Sequence, residues 1–154
     1  MKSLWALALW TVVLPGCGTT DTYNTSAWVD PRLQPAIDQW VLDCRSTAKD
    51  TSKCNTKTIE TISVVDGYGE PDTIGRCTVG LHGLNTFKKV TVRKDMLDAP
   101  PYSIRALVLH EMLHCRFGFE AHTERGIMAA YSMTEEELRD NWPELLREAY
   151  DVVE

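Results

Sequence analysis

The chain has 154 residues, of which 22 are acidic and 16 are basic, so its formal net charge is −6. This length predicts a single domain with one hydrophobic core. The acidic balance argues against nucleic acid as a partner, because phosphate binding needs clustered Lys and Arg. The basic residues at 88, 89, 93 and 94 are spread along one predicted strand and form no such cluster.

Residues 1–16 have the composition of a secretory signal. Lys2 is followed by an apolar stretch at 4–14, which is too short to span a bilayer. The ending Leu-Pro-Gly-Cys at 14–17 resembles a bacterial lipobox, in which the cysteine becomes the lipidated N-terminus. We therefore expect a lipoprotein signal peptide and membrane attachment through Cys17. A plain signal peptide and an uncleaved interfacial segment are the alternatives.

The residue after the lipobox bears on location. Gly18, rather than Asp, follows Cys17, and by the same resemblance this favours the outer membrane, facing the periplasm. We expect a lipidated tether at 17–25 and a monomeric domain at 26–154.

Export to an oxidising compartment makes the four remaining cysteines candidates for disulfides. Cys44 and Cys54 enclose a short polar loop and are the favoured pair. Cys77 then pairs with Cys115, which would tie a strand to the helix that carries most of the histidines. Alternatively, Cys115 is a buried thiol.

The sequence predicts one helix, then three strands, then two further helices. Asp30 and Pro31 are typical of a helix start, and apolar residues at helical spacing predict an amphipathic helix at 31–44. Strands are predicted at 58–65, 75–84 and 87–97, the last two joined as a hairpin. Core positions are expected for the tryptophans Trp28, Trp40 and Trp142.

A buried helix and a C-terminal helix follow. The segment from 101 or 103 to 117 is apolar nearly all round, which predicts burial, and Gly118 is the expected end of the helix. Two overlapping capping boxes, at 132–135 and 134–137, predict a short C-terminal helix. The sequence Asn-Trp-Pro at 141–143 predicts that this helix restarts there.

Three of the four histidines of the chain lie close together in sequence, at 110, 114 and 122. Two of them are four residues apart, so both imidazoles lie on one helix face and can reach one metal ion. Glu111 lies next to that face, where a carboxylate can accept a proton from water at the metal. Polar groups on a buried helix need partners inside the protein, and a metal provides them.

This region, residues 90–133, resembles the zincin metallopeptidases and within them a minimal metzincin. In that family a glycine, a third histidine and a methionine turn follow the two-histidine motif, as Gly118, His122 and Met128 do here, although each of the first two gaps is one residue longer. The resemblance implies an α+β, zincin-like fold. It would have an N-terminal helix, a small mixed twisted sheet of three to four strands, a buried active-site helix and a C-terminal helix.

The resemblance also implies the roles of the site residues. One Zn²⁺ would be bound by His110, His114 and His122, with Glu111 as the catalytic base. A methionine turn at Met128 and a possible oxyanion donor, Tyr131, complete the expected site.

The longer gaps leave alternatives for the third ligand. Glu120 occupies the position that strict family spacing would give to the third histidine. Glu135 or Glu136 would be the ligand in a gluzincin arrangement.

These expectations together predict a zinc-dependent peptidase in the bacterial envelope. A protein or peptide substrate would lie along an exposed edge strand at 75–84, and peptidoglycan cross-links are a further possible substrate. The alternative is a non-catalytic zinc-binding or zincin-fold lipoprotein that acts as a binding or structural module.

Overall fold

A computed structural model describes residues 27–123 and 125–151, which form an α+β fold as predicted. The strands are β1 (Trp28–Val29), β2 (Thr61–Val65), β3 (Gly75–His82) and β4 (Asn85–Arg93). The α-helices are α1 (Gln34–Thr47), α2 (Pro101–Met112) and α3 (Glu135–Asp151). Short 3₁₀ turns lie at Thr51–Lys53, Lys94–Asp98 and Ile127–Ser132, and a π turn, Leu113–Phe117, continues α2.

The four strands form one mixed sheet in the order β1-β2-β4-β3. The first three of these are parallel, whereas β3 is antiparallel to β4 and lies at the edge. Ile62, Val90 and Cys77 occupy one row across the sheet, and the first two are fully buried. This row therefore belongs to the face on which the helices pack.

Helix α2 is buried along its second half, as its apolar sequence predicts. Every residue from 106 to 113 is buried. The helix ends at Gly118, which has the left-handed φ of +73° expected of a C-terminal glycine. The N–H of Gly118 donates to the His114 carbonyl and that of Phe119 to the Leu113 carbonyl, so the chain turns away directly after the histidine pair.

The start of α1 differs from the prediction. The helix begins at Gln34 rather than at residue 31. The Asp30 carboxylate accepts hydrogen bonds from the backbone N–H and the guanidinium of Arg32, and its carbonyl accepts from Leu33 N–H. Asp30 therefore caps a separate turn in front of the helix.

Helix α3 is continuous, so the predicted restart at 141–143 is wrong, and Pro143 lies inside the helix. The capping box at Thr134 and Glu137 is confirmed by reciprocal hydrogen bonds. Glu135 takes a different role: its carboxylate accepts the N–H groups of Tyr102 and Ser103 in the first turn of α2. An acidic group at that position also interacts favourably with the helix dipole.

The predicted strand ends need three corrections. Thr58 has a φ of +72°, which a strand does not accommodate, so β2 starts three residues later than predicted. The hairpin turn is tighter than expected, because His82 pairs directly with Asn85 around Gly83, whose φ is +64°. Strand β4 accordingly starts at Asn85. It ends at Arg93 rather than at the predicted residue 97, because a 3₁₀ turn begins at Lys94.

Both favoured disulfides are present. Cys44–Cys54 joins α1 to the loop that follows it, and Cys77–Cys115 joins edge strand β3 to the π turn after α2. Of the tryptophans expected in the core, Trp40 and Trp142 are buried, but Trp28 is 58% exposed. Strand β1 has only two residues and lies at the sheet edge, where Trp28 has little to pack against.

The predicted leader at 1–16, Cys17 and the tether at 17–25 lie outside the described residues. Within the described ranges, no helix has the length and apolar character that crossing a membrane requires.

Candidate metal centre

The three histidines of the motif converge in the folded chain. One ring nitrogen of each of His110, His114 and His122 can be chosen so that all three lie within 4.8 Å of one another. Their ring centroids are 4.7 to 5.2 Å apart. Helix α2 and its π turn carry the first two, and the loop after Gly118 brings back the third. The predicted third histidine therefore lies where a shared metal ion requires it.

Backbone carbonyls orient two of the imidazoles. His110 Nδ1 donates to the Ile127 carbonyl oxygen at 3.1 Å, and His114 Nδ1 donates to that of Phe119. A neutral imidazole carries one N–H, so in each ring Nε2 is left with a lone pair. The two Nε2 atoms are 3.1 Å apart. Two lone pairs facing each other at this distance repel unless a cation lies beside both.

The spacing of these nitrogens fits zinc. With Zn–N distances of 2.0–2.1 Å and tetrahedral angles, two nitrogen ligands lie roughly 3.3 Å apart. The 3.1 Å between His110 and His114 Nε2 is close to this value. Three imidazole nitrogens are a common donor set for zinc, and two of these rings, His110 and His114, have their second nitrogen fixed by a carbonyl.

The buried environment keeps the imidazoles neutral. Burial, helped by the neighbouring His114 and His122, lowers the pKa of His110 to about 4, although the hydrogen bond to the Ile127 carbonyl acts in the opposite direction. Burial also lowers the pKa of His114. At neutral pH both rings are therefore unprotonated and available as metal ligands.

The alternative third ligands lie outside this cluster. Glu120 lines the cleft described below but does not join the cluster, which is the one potential ligand group of three or more found among the described residues. The Glu135 carboxylate is bound at the N-terminus of α2, and exposed Glu136 lies near Arg139. Neither is positioned to replace His122.

Glu111 is buried beside the histidines and faces strand β3. Burial raises its pKa to about 7 from an ordinary 4.5, against a hydrogen bond with the Cys77 backbone and the charge of Arg76, which both lower it. Gly75 makes this position possible. A Cβ on Gly75 would lie 2.7 Å from Glu111 Oε1 and 2.7 Å from Leu107 Cδ1, closer than such atoms approach.

These side chains open onto a cleft of about 640 Å³. One wall is edge strand β3 with the segment before it, and the other is formed by α2 and the loop after Gly118. The cleft residues that carry chemistry are His110, Glu111, His114 and His122. The site is thus accessible from solvent along the edge of the sheet.

The predicted methionine turn packs against this site. Gly126 has a φ of +78°, Ala129 N–H donates to its carbonyl, and Met128 is buried. The Ile127 carbonyl in the same turn accepts the hydrogen bond from His110. The Tyr131 side chain lies outside the described part of the structure, so its predicted role stays a prediction.

Sequence reasoning missed three contributors. The carbonyls of Phe119 and Ile127 carry no signal in the sequence, because every residue has a carbonyl. Gly75 did carry a signal, since a glycine within a strand often marks a close approach of another group.

No protein-family model, curated protein or solved structure matches this chain. The function must therefore be argued from the motif and from the geometry of the site.

Proposed function

We propose that this protein is a zinc-dependent peptidase of the bacterial envelope with a zincin-like fold. The observation that carries the proposal is the convergence of three histidines and one buried carboxylate on a single cleft beside an edge strand. The element order, with a buried motif helix packed on a sheet whose edge strand is antiparallel, supports the zincin-like fold.

His110, His114 and His122 would hold the zinc ion. When bound, zinc acts as a Lewis acid that makes water more acidic and polarises a carbonyl group. Glu111 would accept the proton of the attacking water at a carboxylate oxygen and pass it to the nitrogen of the leaving amine. In the metal-free protein burial raises the pKa of Glu111 to about 7, which favours proton uptake by this carboxylate.

Edge strand β3 supports a peptide as the substrate. It pairs with β4 on one side only, so its other side presents backbone N–H and C=O groups to the cleft. An extended peptide can add to such an edge as a further strand, which places its backbone beside Glu111. Protein or peptide chains are therefore the proposed substrate class, and attachment through Cys17 would place them in the envelope.

Hydrolysis of a casein-derived peptide library by the full chain tests the proposal. We expect cleavage that a chelator abolishes and added zinc restores. Glu111→Gln should retain zinc but lose hydrolysis, whereas Glu136→Gln, an exposed carboxylate of α3, should cleave as the wild type does. Near wild-type turnover in Glu111→Gln would assign the base to another group. Stoichiometric zinc without cleavage would favour the non-catalytic binding module instead.

A further inference from the structure

The β3–β4 hairpin extends beyond the rest of the sheet. Strand β2 pairs with β4 only from Lys89 onwards, while β3 pairs with it from Asn85. Residues 79–89, here called the hairpin tip, include the two-stranded ribbon that projects past β2. At about 3.3 Å per residue, the four residues from Lys89 to Asn85 carry it roughly 13 Å outward.

The hairpin tip exposes large apolar side chains. Val79 is 56% exposed, Leu81 is 74% exposed and Leu84, in the turn, is fully exposed. Singly exposed apolar residues are ordinary, but three along one projecting ribbon are typical of a contact surface.

The charge of this region is opposite to that of the whole chain. Residues 73–94 contain five basic residues and no acidic one, in a chain of net charge −6. Arg76, Arg93 and Lys94 form ion pairs with acidic residues outside this segment. Lys88 and Lys89 form none within the described ranges, but the Lys88 ammonium is half-buried and donates to the Cys115 carbonyl at 2.7 Å. Lys89 lies over the ring of Phe87 and is the lysine left to face a partner. The hairpin tip is thus apolar and cationic together.

The parallel register shows that the hairpin tip lies at the same end of the sheet as the start of strand β1. Trp28 pairs with Thr61, which pairs with Lys89, so the N-terminal ends of β1 and β4 point the same way. The hairpin tip precedes β4 at that end, and residues 17–26 precede β1 at that end. Ten residues span at most about 36 Å, so Cys17 lies within that distance of Ala27.

We propose that the hairpin tip docks on an anionic lipid surface. Exposed leucines would enter the interface while Lys89 interacts with the headgroups, the combination that holds proteins at membrane surfaces. A lipid anchor at Cys17 would hold the membrane within reach of this same end of the sheet. Val79 and Lys88 also line the cleft, so, if the proposed peptidase function holds, docking would place the cleft beside membrane-adjacent protein segments.

Depth-dependent quenching of tryptophan fluorescence tests this docking. The full chain carrying Leu84→Trp is reconstituted in phosphatidylglycerol vesicles with brominated acyl chains, and the emission of the unsubstituted protein is subtracted. Leu42→Trp, on helix α1, is the matched control, because Leu42 is 61% exposed. The added emission of Leu84→Trp should shift to the blue and fall by about half, as expected of an indole within the interface. The added emission of Leu42→Trp should stay unquenched.

A charge-reversal variant measures how much the lipid headgroups contribute to docking, apart from the apolar contact. Lys89→Glu in the Leu84→Trp chain should reduce the quenching severalfold, and phosphatidylcholine vesicles should do the same. Equal quenching at positions 84 and 42 would overturn the proposal. A blue shift that grows with protein density but ignores bromine would show that a second copy covers the hairpin tip, which would also overturn it. Both readouts are independent of hydrolysis, so they can fail while the peptidase proposal stands.

Discussion

At the scale of single residues, the site depends on main-chain groups as much as on the motif. The carbonyls of Ile127 and Phe119 fix the Nδ1 protons of His110 and His114, which leaves the two unprotonated Nε2 atoms 3.1 Å apart. Glu111, next to them, is held in a buried position where its charged form is costly. Functional sites often hold a group in such an unfavourable environment, because the destabilised group is the one that reacts.

The metal-free protein should therefore be stabilised by Glu111→Gln, and the gain should depend on pH. Below pH 4.5 the carboxyl group is protonated in both the folded and the unfolded chain, so the variant should gain little. Between 4.5 and about 7 only the unfolded chain ionises, so the wild type loses stability as the pH rises. Above pH 7 the difference in the free energy of unfolding should level off at about 3 kcal/mol.

Urea unfolding of both metal-free chains at pH 4, 6 and 8 measures this difference. A constant difference over that range would show that the Glu111 pKa is not raised by folding.

At the scale of elements, edge strand β3 and helix α2 approach each other closely at one point. Gly75 faces Glu111 and Leu107 without a side chain between them, and the Cys77–Cys115 disulfide fastens the same two elements. The position of the Glu111 carboxylate relative to the cleft is therefore set by the strand as well as by its own helix.

Gly75→Ala should lower the hydrolysis rate at least tenfold while zinc stays bound, because the new methyl group displaces the Glu111 carboxylate. Gly67→Ala is the matched control, since a Cβ there meets nothing within 4 Å. Peptide cleavage rates and zinc content of the two variants give the measurement. Equal rates in both variants would contradict the close packing described for Gly75.

The sequence predicted these elements well where the local pattern and the tertiary environment agree. Helix α2 is apolar all round and is buried, and the two histidines at helical spacing do share one face. Predictions failed where the position or role of a residue depends on partners that are distant in sequence. The capping role of Glu135 depends on the first turn of α2, and the exposure of Trp28 depends on its place in an edge strand. Neither dependence can be read from neighbouring residues.

At the scale of the whole molecule, the charge is unevenly distributed. A chain of net charge −6 carries an acid-free segment at 73–94, and this segment includes the strand that lines the cleft. The predicted lipid attachment at Cys17 and the hairpin tip would act at the same end of the sheet, so the anchor and the surface contact would orient the domain together.

Cys17→Ser should move the protein out of the membrane fraction at physiological salt, because the acyl chains supply most of the membrane affinity and a small apolar contact alone is weak. Fractionation of cells that express either chain, followed by immunoblotting, measures the partition. Unchanged membrane partitioning would indicate an uncleaved leader or a protein partner in place of the lipid.

Zinc stoichiometry of the purified chain tests the proposed metal centre most directly. By mass spectrometry under non-denaturing conditions, the wild type and Glu120→Ala should each carry one zinc ion per chain. His110→Ala, His114→Ala and His122→Ala should each lose most of it in the presence of a competing chelator, because a missing ligand greatly lowers metal affinity. Zinc retained by His122→Ala but lost by Glu120→Ala, or full occupancy in the chain that lacks both His110 and His114, would contradict the assignment of the three histidines.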